Sequence, residues 1–300
     1  MTEAAASNPP SAALVRALRP HQWVKNLLVF VPILLDHRLK EPEVLARGAM
    51  AFVAFCLAAS GAYVLNDILD LEADRGHPIK RNRPFASGAL SPRAGYLLAL
   101  ALVGVSLVVG SALVAPGFLA LLLLYIGLTT AYSAYLKRIV VLDVLLLACL
   151  YTLRVLAGIT ASGVRFSTWL LAFSTFLFLS LAFLKRHGEL STLAAHPTPA
   201  VQRRGYVPQD MEWLRTMGAA SAYLAVLVLA LYLNSDEVVK LYRKPAVLFL
   251  VCPLLLYWTS RMWLLAHRGR INEDPIVAAA RDPSSYVVGA LVLLVLYAAL

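Results

Sequence analysis

Four oxygen-bearing side chains recur at helical spacing in the stretch Asn66-Asp67-Ile68-Leu69-Asp70-Leu71-Glu72-Ala73-Asp74-Arg75. If the backbone is helical through Asp74, the 100° step puts Asn66, Asp70 and Asp74 at roughly 0°, 40° and 80°, with Asp67 near 100°. All four then project from one face, whereas Glu72 falls near roughly 240° and is left out of the group. Carboxylates gathered this closely repel one another and stay ionised only when something positive joins them. An oxygen-only donor set of this kind suits magnesium. The chain continues as Gly76-His77-Pro78-Ile79-Lys80-Arg81-Asn82-Arg83-Pro84, which delivers Lys80, Arg81 and Arg83 within one loop. Pro78 and Pro84 are expected to stop the helix and stiffen that loop. Metal and fixed cations side by side are the arrangement that holds a diphosphate. The expectation is therefore that Asn66, Asp70 and Asp74 are metal ligands, that Asp67, Asp70 and Asp74 are the catalytic carboxylates, and that Lys80 and Arg83 bind substrate phosphate. A merely solvated acidic helix end would require neither the i, i+4, i+8 register nor the flanking prolines.

The elements that must position these groups are written for lipid. Hydrophobic residues make up 60% of the 300 positions and charged residues 15%, with a mean hydropathy of +0.72. Such a balance excludes an ordinary soluble chain. Apolar stretches of spanning length predict an all-α, polytopic transmembrane bundle of about nine helices in a single domain over 1–300. The spans run about 23–36, 44–67, 95–115, 118–136, 139–161, 166–184, 215–233, 245–266 and 284–300. Lys25, Asn26 and Pro32 interrupt the first, so it must draw on residues from about Ala12 or enter at a tilt. Met1 to Pro20 lacks the features of a cleavable leader. Cys56, Cys149 and Cys252 lie in apolar stretches without metal or disulfide spacing. With the N-terminus inside, roughly eighteen Lys and Arg fall on the cytoplasmic side against seven on the other. The expected location is thus the inner (plasma) membrane, with the acidic motif facing the cytosol. The net charge of +10 is accounted for by positions beside the spans, which face lipid headgroups rather than nucleic acid.

Arg154 stands deep in the fifth span, where an unpaired arginine costs at least about 2.5 kcal/mol. It is expected to be a substrate-binding residue that contacts phosphate, the alternative being a structural partner for an intramembrane carboxylate. Asp143 lies three turns away, roughly 16 Å, and cannot pair with it along that helix. Lys25 either reaches a substrate phosphate or snorkels to the headgroups. The five tryptophans suit interfacial belts, and none of His21, His77 and His187 is needed as a base when the acceptor is an already ionised phosphate.

On the motif from Asn66 to Asp74 the chain resembles the UbiA-type intramembrane prenyltransferase superfamily, whose aspartate-rich NDxxDxxxD sequence ends the second of nine helices. The likeness extends to Arg19-Pro20-His21-Gln22-Trp23-Val24-Lys25-Asn26, to His77–Pro84, to Tyr132–Arg138 (YSAYLKR) and to Tyr151–Gly158 (YTLRVLAG). These segments are most similar to the branch of decaprenyl-phosphate phosphoribosyltransferases. The resemblance implies Mg2+ as cofactor, phosphoribosyl diphosphate as donor and a polyprenyl phosphate lipid as acceptor, in precursor synthesis for a cell-envelope glycan. It adds Lys137 to the expected substrate ligands. Many members carry a second DxxxD motif, for a second magnesium, between the sixth and seventh helices. Here that place reads Lys185-Arg186-His187-Gly188-Glu189-Leu190. Two cations and one carboxylate there make a second metal doubtful and imply direct phosphate contacts by Lys185 and Arg186, with Glu189 among the substrate-binding residues of the same segment. An aromatic prenyltransferase using a polyprenyl diphosphate is the alternative. A transporter or lipid-binding membrane protein is a third reading, and a homo-oligomer is left open.

Overall fold

The computed structural model describes residues 10–76, 80–112, 115–195, 205–271 and 274–300, and among them every regular element is helical. His77, Pro78, Arg203, Arg204 and Asn272 lie outside the described residues. Prolines open most of the helical segments: Pro42, Pro92, Pro116, Pro208, Pro245, Pro275 and Pro283 each stand in a first turn. There the missing N–H is one that the helix would leave unbonded anyway. Ser91, Asp274 and Asp282 add side-chain caps, accepting from the N–H groups of Ala94, Ile276 and Ser285.

Seven helical stretches are long and apolar enough to cross a membrane: Pro42–Leu69, Pro92–Ser111, Pro116–Ala134, Leu142–Ser162, Thr168–Thr192, Pro208–Leu233 and Pro245–His267. The chain is a multi-pass membrane protein. These seven correspond to seven of the nine predicted spans. The last predicted span is a shorter apolar helix, Pro283–Ala299. The first is not one helix but a 3-10 segment, Pro20–Phe30, followed by a short α-helix, Val31–Leu35, as the interruptions at Lys25, Asn26 and Pro32 require. A second difference lies at the sixth span, whose helix does not stop near residue 184 but runs on through Lys185–Leu190 to Ala195. The predicted connection is therefore helix, because the charges on it are neutralised by carboxylates from elsewhere in the fold.

The described residues form two compact units. The first, from 1–139 and 153–165, holds α1 (Pro10–Leu18), α2 (Val31–Leu35), α3 (Pro42–Leu69), α4 (Leu71–Arg75), α5 (Pro92–Ser111), α6 (Pro116–Ala134) and the later part of α7 (Leu142–Ser162). Helix α3 is its centre, packed on α5, α6 and the 3-10 segment. Its buried face is mostly small, with Ala51, Ala54, Ala58, Ala59, Ser60 and Gly61 beside Phe55. Small residues let backbones approach closely where lipid gives no hydrophobic drive to helix association. Ser106 Oγ accordingly donates to the Ala54 carbonyl at 2.8 Å. At Gly158 the approach is closer still, since a Cβ there would lie 2.1 Å from the Val29 carbonyl oxygen.

The second unit holds the start of α7 and α8 (Thr168–Ala195), α9 (Met211–Leu233), α10 (Asp236–Leu241), α11 (Val251–His267), α12 (Pro275–Ala279) and α13 (Pro283–Ala299). Helices α8 and α9 pack along their lengths. Trp263 of α11 is seated against Gly218 of α9 and donates from Nε1 to Ser180 Oγ at 3.1 Å. Leu233, Val238, Leu248, Val251, Val295 and Ala299 close the other end of this unit.

Because the atom blocking a side chain at residue 158 is backbone, Gly158→Ala must displace the 3-10 segment. We expect a loss of about 1–3 kcal/mol, read as a lower melting temperature of the detergent-purified protein, whereas Gly104→Ala, inside α5 with nothing within 4 Å, does not lower it.

Candidate functional site

Helix α3 gives way to α4 at Asp70, where one residue leaves ideal helical dihedrals, yet the hydrogen-bond register persists. Asp70 N–H bonds the Asn66 carbonyl at 2.9 Å and Asp74 N–H bonds the Asp70 carbonyl at 2.8 Å. The predicted face therefore forms. Glu72 points away, exposed and paired with Arg75 at 2.8 Å.

Cations from three separate segments enter this face. Arg83 Nη1 reaches Asp74 Oδ2 at 2.6 Å and Asp67 Oδ1 at 3.1 Å. Lys137 Nζ, from the turn after α6, reaches both oxygens of Asp70 at 2.8 and 2.7 Å and Asn66 Oδ1 at 3.2 Å. Arg19 Nη2, between α1 and the 3-10 segment, meets Asp67 Oδ1 at 2.6 Å while its guanidinium lies 5.2 Å from the centre of the Tyr63 ring. Arg19 holds left-handed backbone, φ 52°, which is costly for a residue with a Cβ. Of the loop cations, Lys80 is half-buried, with its charge felt at Asp74, and Arg81 is exposed. Burial pushes the Asp74 carboxyl above its ordinary range, and Arg83 pulls it back.

Asp67 is the least accessible of the acids, its side chain 1% exposed. Its Oδ2 is buried with no hydrogen-bond partner among the described residues. An anionic oxygen so placed is suited to a further cation. Among the described residues no three of His, Cys, Asp and Glu close into a cage that holds an ion unaided. Magnesium does not ask for one, since it is commonly bound by one or two carboxylates together with substrate phosphates and water.

Below this face, Arg154 is buried and held on two sides. Nε donates to Asn26 Oδ1 at 2.8 Å, and Nη2 donates to Tyr125 Oη at 2.9 Å. Asn26 in turn donates from Nδ2 to Cys56 Sγ at 3.3 Å. Lys25, beside Asn26, is buried as well. Trp23 Nε1 donates to Ser60 Oγ at 3.0 Å, and Ser60 donates to the Leu18 carbonyl at 2.9 Å, which ties the Arg19 turn to α3.

The second unit gathers a separate polar network. Arg186 pairs through Nε with Asp143 and through Nη1 with Glu189. Asp143 also accepts from Tyr206 Oη at 2.7 Å, and that oxygen accepts from Val141 N–H at 3.0 Å. Burial, with the Asp143 carboxylate beside it, pushes the Tyr206 hydroxyl well up. Lys185 Nζ meets Asp274 Oδ2 at 3.2 Å, and Asp274 accepts from Tyr151 Oη at 3.2 Å and from Ile276 N–H at 3.2 Å. The structure thus brings Asn66, Asp67, Asp70, Asp74, Arg83 and Lys137 together in one unit. It draws Lys185, Arg186 and Glu189 into another network, on carboxylates.

The sequence pattern assigns none of Arg19, Tyr125, Tyr151, Tyr206 and Asp274 to either cluster. A hydroxyl in mid-span, as at Tyr125, was the available hint, because a buried tyrosine hydroxyl seeks a polar partner. Two further acidic residues have structural partners. Asp210 accepts from Val207 N–H, and Asp282 takes a two-point hold from Arg261 at 2.6 and 3.0 Å.

Residues 40–277 match the UbiA prenyltransferase family, and the chain belongs to it. It is 40% identical over 278 residues to the protein y4nM of Sinorhizobium fredii, covering 92% of this chain but only 53% of that one. This chain therefore spans about half the length of that relative. It is 37% identical to the nodulation protein NoeC of Azorhizobium caulinodans, covering 94% and 91% of the two chains. It is 35% identical to the decaprenyl-phosphate phosphoribosyltransferase of Mycobacterium tuberculosis, covering 77% and 78%. The fold matches a UbiA homologue of Archaeoglobus fulgidus, solved bound to GPP and Mg2+, with a TM-score of 0.73 over 96% and 99% of the chains at 17% identity.

Two outcomes are expected. Asp70→Asn or Asp74→Asn abolishes turnover while membrane insertion is retained, and Glu72→Gln costs less than about threefold, since an exposed i,i+3 pair contributes little. Equal damage from all three would show that the helix face is wrongly drawn. Arg154→Lys cannot hold Asn26 and Tyr125 together, so the melting temperature falls by the equivalent of about 2 kcal/mol.

Proposed function

We propose that this protein transfers the 5-phosphoribosyl group from phosphoribosyl diphosphate to a polyprenyl phosphate, releasing diphosphate. The observation that carries this reading is the state of the Lys185–Glu189 segment. Where many UbiA-type enzymes resemble one another in a second pair of metal-binding aspartates, this chain has two cations already standing on carboxylates. A donor needing two metal clusters on a prenyl diphosphate is ill matched to that segment. A 35% identical relative with the phosphoribosyltransferase name supports the same choice.

In this reading Asn66, Asp70 and Asp74 hold magnesium, with Asp67 in support, and the metal's contribution is to neutralise charge developing on the departing diphosphate. Arg83, which bridges Asp67 and Asp74, and Lys137, which rests on Asp70 and Asn66, exchange part of that contact for phosphate oxygens. Arg19 is anchored by Asp67 and Tyr63 and stays oriented throughout. An acceptor phosphate oxygen forms a bond to the anomeric carbon while the bond from that carbon to diphosphate breaks. The acceptor is already ionised near neutrality, so no side chain has to remove a proton. Rate enhancement then comes from positioning and from leaving-group stabilisation. The bias of basic residues supports a site that faces the cytoplasm from the inner membrane.

Purified protein with magnesium is offered labelled phosphoribosyl diphosphate plus polyprenyl phosphate and, separately, polyprenyl diphosphate plus 4-hydroxybenzoate. The expected result is ribose label in the lipid phase with diphosphate released, abolished by EDTA and restored by magnesium. Prenylated aromatic product without ribosylated lipid would overturn the proposal in favour of prenyl transfer.

A further inference from the structure

Lys137 stands on the acidic face in a way that contact with a phosphate does not by itself explain. Its ammonium has three N–H groups, and three oxygens of the expected metal ligands receive them: both carboxylate oxygens of Asp70 at 2.8 and 2.7 Å, and Asn66 Oδ1 at 3.2 Å. A divalent ion held by the same oxygens at about 2.1 Å would share the ammonium's place or press against its charge. Lysine and metal are therefore alternatives on Asn66 and Asp70.

The other cations of this face are fixed more firmly. Arg83 spans Asp67 and Asp74, whose side chains are 1% and 5% exposed, and Arg19 is held between Asp67 and the Tyr63 ring. Asp70, at 28%, is the most accessible of the three aspartates. Lys137 meets it from the 3-10 turn Leu136–Arg138, 67 residues along the chain. The flexible four-carbon stem of a lysine lets the ammonium leave without moving the backbone, where an arginine's planar fork would hold the carboxylate at two points. Its tether also keeps the ammonium at high effective concentration, so that a free ion displaces it poorly.

We infer that Lys137 is a tethered stand-in for the metal: its ammonium holds Asn66 and Asp70 until a diphosphate draws it away, so that divalent cation and diphosphate bind well together and weakly alone. Diphosphate oxygens offer the ammonium other acceptors, and the metal takes the oxygens that it releases, so these acids are never left without a cation. The coupling is reciprocal. Whatever factor the diphosphate adds to metal affinity, the metal adds to diphosphate affinity. The inference rests on the metal and diphosphate of the function proposed above, and not on the group that the diphosphate carries.

The test measures binding of Mn2+, a divalent ion that takes the same oxygen ligands, to the full chain in detergent, with the free ion read by electron paramagnetic resonance. Without phosphate, Lys137→Met is expected to bind Mn2+ about tenfold more tightly than wild type, the scale of one hydrogen bond to a charged group. Arg138→Gln removes an exposed charge from the same turn and should stay within about twofold, because a solvated charge is screened. Lys137→Gln, neutral and still able to donate, serves if the methionine variant does not fold. Inorganic pyrophosphate, with the Mn2+ that it takes up by itself subtracted, should tighten Mn2+ binding about tenfold more in wild type than in Lys137→Met. Unchanged or weaker Mn2+ binding by a folded Lys137 variant overturns the inference. So does an equal gain in Arg138→Gln, which marks bulk charge rather than a shared place, or an equal effect of pyrophosphate on wild type and variant. Tighter Mn2+ binding by Lys137→Met, in a protein whose wild type ribosylates no lipid, upholds the stand-in and removes the proposed reaction. Ribosylation by a wild type whose Lys137 variants bind Mn2+ no more tightly does the reverse.

Discussion

Asp67, Asp70 and Asp74 place three negative charges at the C-terminal end of a long helix, where the helix dipole is itself negative. Neither the helix nor surrounding lipid can neutralise them, so cations must be brought in along the chain. Arg19 comes from 48 residues upstream of Asp67, Arg83 from 16 residues downstream and Lys137 from 67 residues beyond Asp70. Each of the three sits in an irregular or 3-10 segment between helices. The need to balance one helix end thus fixes where three connections run. The strained Arg19 backbone, the Trp23–Ser60–Leu18 ties and the bridging geometry of Arg83 all follow from it.

How much of this was legible depended on whether the information was local. The register of Asn66, Asp70 and Asp74 and the outward turn of Glu72 are properties of one helix, and spacing alone reveals them. The long spans were legible because lipid imposes length and apolarity on each segment separately. The interrupted first span was legible too, in the polar residues and proline that break its run. Pairings between distant residues were not. Arg154 could be marked as needing a partner, but nothing in the order of residues points to Asn26 or Tyr125. The Lys185–Glu189 segment was read as a connection with open cations because its neutralising acids, Asp143 and Asp274, are 43 and 89 residues away.

Buried charge is treated differently in the two units. In the first, cations bridge between acids and one oxygen, Asp67 Oδ2, has no partner among the described residues. In the second, two cations and three carboxylates are tied together, with tyrosine hydroxyls and backbone N–H groups completing the contacts. Removing one member of a buried pair is costly, while a fully bonded network is rigid. The first arrangement can exchange partners during a reaction; the second holds groups still.

Helix α3 and the hairpin of α5 and α6 differ in how much of each is inside: 56% of the apolar stretch of α3 is buried, against 22% for each of the other two. Lipid reads only apolarity, so most hairpin positions can exchange one aliphatic residue for another without notice. Helix α3 has no such latitude, because its alanines and glycines are dimensions as much as residues. Evolutionary drift in this protein should therefore be anisotropic. The hairpin is free to wander among hydrocarbons, adapting the protein to bilayers of different thickness or fluidity, while α3 remains a nearly fixed text beside it.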